Sequence, residues 1–333
     1  MKLTVLGAGS FGTAMANHAV EAGHDVRLWC RSPEQAKTLN AEHRNPRYLK
    51  DFPLNENLVA LSDFEETVAF SDSLILAVPA QKVREVLKNL SVLPVAGKKL
   101  LSLAKGIEIG SGFLMHQVAQ EVLPELSYSA LSGPSHAEEV VRDLPTAVVV
   151  ASRNPSIAEE WQEALNTPHF RVYTSKDLPG VELGGAVKNI IAIAVGAALA
   201  LDLGDNAKAA LTTRGLAEIM RLGVALGAEP LTLSGLAGIG DLMVTCYSLH
   251  SRNLRFGAAI GRGLSLEQAG EEIGQVVEGA HTVKAVVAEA RRMALELPVA
   301  ESVHRILYEG AELSDVIQSL LMRDPKPEHP SHV

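Results

Sequence analysis

The sequence predicts a two-part molecule: an α/β half built on a parallel sheet with helices on both faces, followed by an all-α half. Three observations carry this. Short β-rich runs alternate with amphipathic helical stretches through the first half. Those runs are continuous apolar blocks, as strands buried on both sides require. From about Leu178 onward the chain changes to long runs rich in Ala, Leu and Gly, which read as helices.

Taken in order, Leu3-Thr4-Val5-Leu6 reads as the first strand and Val26 to Cys30 as the second. Ser73 to Val78, ended by Pro79, is the third, Lys99 to Leu103 the fourth, and Ala147 to Ala151 comes later. Helical patterns at Thr13 to Ala22 and Val83 to Leu90 lie between them. In the second half, Gly184 to Leu201, Ala207 to Leu226, Leu254 to Ile260, Leu266 to Gly270, Thr282 to Leu295, Val299 to Tyr308 and Leu313 to Met322 read as helices. The 333 residues suit two domains at roughly 150 residues each. Pro and Gly cluster at Asp177-Leu178-Pro179-Gly180, so the expected division is 1–178 and 179–322. The Pro-rich polar tail, 323–333, is expected to be disordered.

Apolar residues make up 47% and charged residues 21% of the chain, which excludes bulk disorder. The formal net charge of −9 argues against wrapping nucleic acid or coating an anionic membrane. A local basic pocket for a small phosphate ester remains open. Two cysteines, Cys30 and Cys246, exclude a disulfide scaffold and a cysteine-built zinc site, and fit a reducing compartment. The eleven histidines show no metal spacing, so no metal is expected. The N-terminus runs from a short apolar stretch straight into glycines, unlike a signal peptide. The longest apolar run, Ile190 to Leu201, falls short of the roughly 20 residues that a bilayer needs. A cytoplasmic protein with no membrane span is the expectation.

Gly7-Ala8-Gly9-Ser10-Phe11-Gly12 matches G-x-G-x-x-G between a strand and a helix, the context a dinucleotide site requires. Gly7 permits the tight turn, Gly9 lets backbone amides approach a pyrophosphate, and Gly12 lets helix and strand pack closely. An ordinary glycine-rich βαβ turn is the plainer reading. The second strand ends at Trp29-Cys30-Arg31-Ser32, without the acid that usually binds an NAD ribose. Arg31 can clasp a 2′-phosphate, which favours NADPH, or stack on adenine. Glu34 close by keeps NAD open.

Lys188 lies in a long apolar run with no carboxylate at i±3 or i±4. Either it snorkels to the surface, or it faces a polar cleft where desolvation tunes it for proton transfer. Asp241, in the apolar stretch Gly235 to Val244, needs a partner such as Lys188, or caps the next helix. Ser251-Arg252-Asn253 at a helix start suits a phosphate monoester; capping by Ser251 with Arg252 solvated is the alternative. Ala104-Lys105-Gly106-Ile107-Glu108 follows a strand at the sheet's carboxyl end, where open α/β folds bind ligands. Leu131-Ser132-Gly133-Pro134-Ser135-His136-Ala137 is a second such loop, whose His136 is an acid–base candidate or a surface histidine.

These blocks, with Leu76-Ala77-Val78-Pro79, Val187-Lys188-Asn189 and Gly240-Asp241-Leu242, come in the order of a known family. The chain resembles bacterial NAD(P)-dependent glycerol-3-phosphate dehydrogenase, the soluble biosynthetic type, over about residues 2 to 322. The resemblance implies a Rossmann-like N-terminal domain and an all-helical C-terminal domain. It implies that Ser10, Phe11, Arg31, Ala137, Val276 and Glu278 touch the cofactor, and that Lys105 touches both cofactor and substrate. Gly133 and Ser135 would hold the substrate. Lys188 would transfer the proton, with Asp241 beside it. Ser251, Arg252 and Asn253 would hold the substrate phosphate, with Arg252 also near the cofactor. The implied reaction reduces dihydroxyacetone phosphate to sn-glycerol 3-phosphate, for phospholipid synthesis, and a homodimer is compatible with it. The rivals are another two-domain hydroxy-acid dehydrogenase and a non-catalytic NAD(P)-binding sensor. The sensor would need neither Lys188 nor Ser251-Arg252-Asn253.

Overall fold

The computed structural model describes residues 1–322 and 327–328, so the expected disorder of 323–333 falls outside the described residues except at those two. The first half runs β1 (Lys2–Leu6), α1 (Ser10–Glu21), β2 (Asp25–Trp29), α2 (Pro33–Glu42), β3 (Val59–Leu61), α3 (Phe64–Ala69), β4 (Ser73–Leu76) and α4 (Val83–Ser91). It continues with β5 (Lys99–Ser102), α5 (Met115–Val122), β6 (Ser127–Ser132), α6 (Ala137–Val140), β7 (Thr146–Ser152), α7 (Pro155–Leu165) and β8 (Phe170–Ser175). The second half is helical: α8 (Leu178–Ala200), α9 (Gly204–Ala225), α10 (Pro230–Leu233), α11 (Asp241–Tyr247), α12 (Arg252–Gly261), α13 (Leu266–Ile273), α14 (Glu278–Arg292), α15 (Pro298–Tyr308) and α16 (Leu313–Leu321).

The eight strands form one sheet in the order β3-β2-β1-β4-β5-β6-β7-β8. Its faces bury different side chains, as the two-residue period of a strand demands. Leu3, Val5, Val26 and Leu28 join one apolar cluster, and Leu6, Leu74, Leu76 and Leu100 join the other.

The expected wholly parallel sheet needs one correction. β6 pairs antiparallel with β7, and β7 then pairs parallel with β8. Three strands also lack the expected apolar block. β3 has only three residues. β6 is Ser-Tyr-Ser-Ala-Leu-Ser, so its Leu131 and Ser132 belong to a strand rather than to a loop. β8 lies at the sheet's edge and alternates buried with exposed residues.

The central helix of the second half is α8, which is apolar on all sides because it is enclosed by other helices. It is longer than the expected run because it starts at Leu178 and passes through Gly184 and Gly185 without a break. By length and composition it is long enough to cross a membrane, but 83% of its apolar window is buried inside the protein. Glycines bring neighbours onto its backbone: at Gly196 and Gly257, α8 and α12 each leave a side chain out where the other's carbonyls approach.

A buried polar cluster ties the halves together. Glu182 of α8 accepts from the His116 backbone N–H at 3.0 Å, His116 Nδ1 at 2.6 Å and Tyr128 Oη at 2.5 Å. Burial and the Glu182 charge push the Tyr128 hydroxyl well above its ordinary value.

Candidate active site

The glycine loop follows the end of β1. Gly7 has φ +120°, and a Cβ there would stand 2.6 Å from the Ala77 carbonyl oxygen, so only glycine fits. Gly12 presses against the Gly7 carbonyl. At Gly9 a Cβ would meet nothing within 4 Å. Gly9 is also the N-cap of α1 and offers no side-chain acceptor to the first turn. An open space facing uncapped helix amides is what a pyrophosphate needs, so the residues present fit a dinucleotide. The loop itself is braced: Asn45 donates to the Ala8 carbonyl at 3.1 Å and to Thr13 Oγ1 at 2.8 Å, and Gln35 donates to Ala8 at 2.9 Å.

Arg31 follows β2, exposed and without a partner among the described residues. Phe11 is half-buried in the first turn of α1, with the Lys105 ammonium 5.9 Å from its ring centre. Ala137 is buried at the start of α6, in the same core cluster as Ala8.

The structure brings Lys188, Asp241 and Lys105 together. Both lysines approach the Asp241 carboxylate, with Lys188 Nζ on Oδ1 and Lys105 Nζ on Oδ2 at 2.7 Å. The surface-snorkelling reading of Lys188 is thereby removed, since Lys188 is 6% and Asp241 1% exposed. Asp241 is not the helix cap either: Gly240 is, and Asp241 is the first residue of α11.

A single wide turn at Leu236–Gly240 delivers Asp241 to this place. Gly240 N donates to Gly235 O at 3.1 Å, an i→i+5 bond of the kind that recurs at functional sites. Lys188 Nζ also donates to Thr245 Oγ1 at 2.8 Å, whose own hydroxyl donates to the Asp241 carbonyl at 2.6 Å. Lys105 Nζ further donates to the Gly133 carbonyl at 3.2 Å, which also takes Ser135 Oγ at 2.9 Å.

Burial pulls the Lys188 ammonium down to about 7; the Asp241 charge opposes this and the Lys105 charge adds to it. Burial pushes the Asp241 carboxyl up, but the two lysines and their hydrogen bonds outweigh it and leave the group below its ordinary value. His136 sits half-buried beside this group, its ring 5.8 Å from that of His250. Burial, then the Lys188 charge, lowers its pKa.

The phosphate candidates start α12. Ser251 does cap the helix, accepting from Leu254 N at 3.2 Å. Arg252 is half-buried; its Nη1 reaches Gln275 Oε1 at 3.2 Å and the Val276 carbonyl at 3.4 Å. The rest of its fork has no partner among the described residues. Burial lowers the Arg252 pKa, opposed by Glu278 and Glu138.

Asn253 differs most from expectation. Its Nδ2 donates to Asn189 Oδ1 at 2.9 Å and its Oδ1 accepts from Gly279 N at 2.9 Å. One Nδ2 hydrogen is left for a ligand. Gln275 also accepts from Ser10 Oγ at 3.2 Å, so the segment before α14 bridges the glycine loop and Arg252. Val276 is exposed there. Glu278 accepts from Ala80 N at 3.2 Å, and burial pushes its carboxyl up to about 7.

Residues 2–158 match the family described as NAD-dependent glycerol-3-phosphate dehydrogenase N-terminus, and residues 177–318 match the C-terminus of the same family. The chain belongs to the NAD-dependent glycerol-3-phosphate dehydrogenase family. It is 46% identical to glycerol-3-phosphate dehydrogenase [NAD(P)+] of Chlorobium luteolum, over 98% of this chain and 99% of that one. It is 44% identical to the Pseudomonas syringae pv. tomato protein of the same name, over 98% and 95%. The crystal structure of glycerol-3-phosphate dehydrogenase from Coxiella burnetii superposes with a TM-score of 0.94 at 40% identity, covering 97% of this chain and 99% of that one. A Rossmann-like first half and a helical second half are thus shared with the family, and the other hydroxy-acid dehydrogenases and the non-catalytic sensor are not favoured. Binding of NAD or NADP follows from this membership.

Sequence reasoning gave no role to Thr245, Gln275 or Ser132, whose hydroxyl donates to Asp241 Oδ2 at 3.3 Å. Thr245 was findable, since it lies one helical turn beyond Asp241. The cavity of about 450 Å³ between α8, α9, α15 and α16 is mostly apolar and holds none of these residues.

Proposed function

We propose that the chain reduces dihydroxyacetone phosphate to sn-glycerol 3-phosphate, with Lys188 as the proton donor. The observation that carries this reading is the buried Lys188–Asp241–Lys105 group beside the Gly133–Ser135 loop. A bound NAD(P)H supplies the hydride that adds to the carbonyl carbon. The carbonyl oxygen then gains an electron pair and takes a proton from Lys188 Nζ, leaving Lys188 neutral. A pKa near 7 suits that transfer at neutral pH. Lys105 adds positive charge beside the developing alkoxide. Asp241 fixes both ammonium groups, and Thr245 orients Lys188 further. Gly133 and Ser135 hold the substrate. Ser251, Arg252 and Asn253 hold its phosphate, and the positioning counts because small displacements are costly.

Gly7, Gly9, Ser10, Phe11, Gly12, Ala137, Val276 and Glu278, with Lys105 and Arg252, would hold the cofactor. Arg31 is free to meet a 2′-phosphate and no acid takes its place, so the reading favours NADPH over NADH. We divide the chain at residue 178 into cofactor and substrate domains, because β8 ends at Ser175 and α8 begins at Leu178. Two buried free cysteines fit a cytoplasmic location, and a homodimer is the proposed assembly.

The test is NAD(P)H oxidation by purified protein with dihydroxyacetone phosphate. Turnover with that substrate is expected, and none when NAD(P)+ is offered with a phosphate-free 3-hydroxy acid. No turnover with dihydroxyacetone phosphate would sink the reading.

A further inference from the structure

Lys105 reaches Asp241 by lying across α8, one turn ahead of Lys188. At that turn α8 has no side chain. A Cβ on Gly185 would stand 2.5 Å from Ser132 Oγ and 3.3 Å from Lys105 Cγ and Cδ. Ser132 ends β6 and is 2% exposed. Its hydroxyl donates to Asp241 Oδ2, the oxygen that also takes Lys105. We infer that Gly185 and Ser132 are positioning residues for proton transfer: the bare turn at Gly185 is a slot that admits the Ser132 hydroxyl and the Lys105 stem to Asp241. The inference rests on the reading of Lys188 as proton donor.

Helix propensity alone would put another residue here, since glycine is the poorest non-proline choice in a helix interior. The slot supplies the reason for a glycine. Two donors on Oδ2 draw charge from the carboxylate and loosen its hold on the Lys188 proton. Once Lys188 gives that proton up, Asp241 still has Lys105 and Ser132, so its charge is not left bare in a buried place.

The titratable groups facing Lys188 are Asp241 and Cys246 from α11, Lys105 from the loop after β5 and His136 from the loop after β6. Asp241 favours the charged ammonium and Lys105 disfavours it. Losing the Ser132 donor, or moving Lys105 away, therefore raises the Lys188 pKa. Reduction needs protonated Lys188, so its rate falls as pH rises through that pKa. A higher pKa moves the fall to higher pH.

The experiment measures the pH profile of kcat for reduction, together with Tm, in wild type, Ser132→Ala, Gly185→Ala, the double variant and Lys188→Ala. Ser132→Ala should move the midpoint upward and lower kcat about 3- to 10-fold, the scale of one weak hydrogen bond. Gly185→Ala should move it further and lower kcat by about 10²-fold, as its methyl displaces the Ser132 hydroxyl and crowds the Lys105 stem, with Tm lowered by the overpacking. The double variant should recover toward the level of Ser132→Ala, because removing the hydroxyl relieves the 2.5 Å contact and leaves only the looser 3.3 Å contacts with the Lys105 stem. A Ser132→Ala profile that overlays wild type overturns the inference. So does a double variant no better than Gly185→Ala. Near-normal turnover of Lys188→Ala would instead sink the proton-donor reading, whatever the other variants do.

Discussion

Around Asp241, both carboxylate oxygens are occupied by protein donors and both lysines are held on two acceptors each. Around Arg252, in the same helical half, a guanidinium keeps most of its N–H groups free, and Arg31, after β2 in the other half, has no partner at all among the described residues. The first region organises the chemistry before any ligand arrives. The second leaves its donors open, as the proposed phosphate contacts require. Mutations at Asp241 should therefore cost stability and rate together, and mutations at the phosphate rim should cost binding and positioning with little loss of stability.

The harshest way to break the first region is Asp241→Asn. It leaves the buried Lys188 and the half-buried Lys105 ammonium groups without a counter-charge, a loss of about 3–5 kcal/mol for a broken buried pair. Thermal unfolding should show a lower Tm alongside a large drop in kcat. Unchanged Tm would mean the ion pairs are not structural.

Lys188→Ala removes the proposed proton donor and one of the two charges, so it should spare more stability. Its kcat should fall by at least about 10²-fold, with NAD(P)H affinity, read by fluorescence titration, little changed. In wild type the reductive kcat should decline as pH rises through about 7, because Lys188 loses the proton it must give. A rise over that range would contradict the assignment.

At the rim, Arg252→Lys keeps the charge but loses the planar fork that matches phosphate oxygens. A poorly held phosphate misplaces the carbonyl, and about 1 Å of misplacement can cost about 10²-fold. KM for dihydroxyacetone phosphate should rise and kcat fall, while Tm stays put. Unphosphorylated dihydroxyacetone should be a poor substrate for wild type and little worse for the variant. Equal losses for both substrates would move Arg252 from the phosphate to the cofactor or the fold.

The two regions were unequally legible in the sequence. Lys188 and Asp241 stood out because a charge in an apolar run demands a partner. That Lys188 shares the Asp241 carboxylate with Lys105 depends on a wide turn at Leu236–Gly240 and on contacts between distant segments, which no periodicity reports. Ser132 was hidden because β6 is too rich in serine to read as a buried strand, so Leu131-Ser132 read as the start of a loop. Asn253 showed a phosphate-binding residue type, but its direction toward Asn189 and Gly279 was set by how α8, α12 and α14 pack. The glycine loop was more legible: Gly7 and Gly12 answer local steric demands, and Gly9 leaves open space before the first amides of α1.

The smallest effect, and the one that most sharpens the contrast, is at Arg31. An exposed side chain without protein partners contributes little to folding, so Arg31→Ala should change unfolding stability by no more than the scatter expected of surface changes, about ±0.5 kcal/mol. Whatever it does must then appear in ligand binding. Only NADPH carries the 2′-phosphate, and a lost charge-assisted contact is worth about 1.5–3 kcal/mol. Solvent exposure weakens such a contact, so the low end applies, close to tenfold in Kd. The expected outcome is a rise of about tenfold in Kd for NADPH and almost none for NADH, with the NADPH effect shrinking as salt is added. Adenine stacking by Arg31 predicts something else: a similar rise for both cofactors and little dependence on salt. Titrating both cofactors at two salt concentrations separates the two, and an equal loss would remove Arg31 as the reason to favour NADPH.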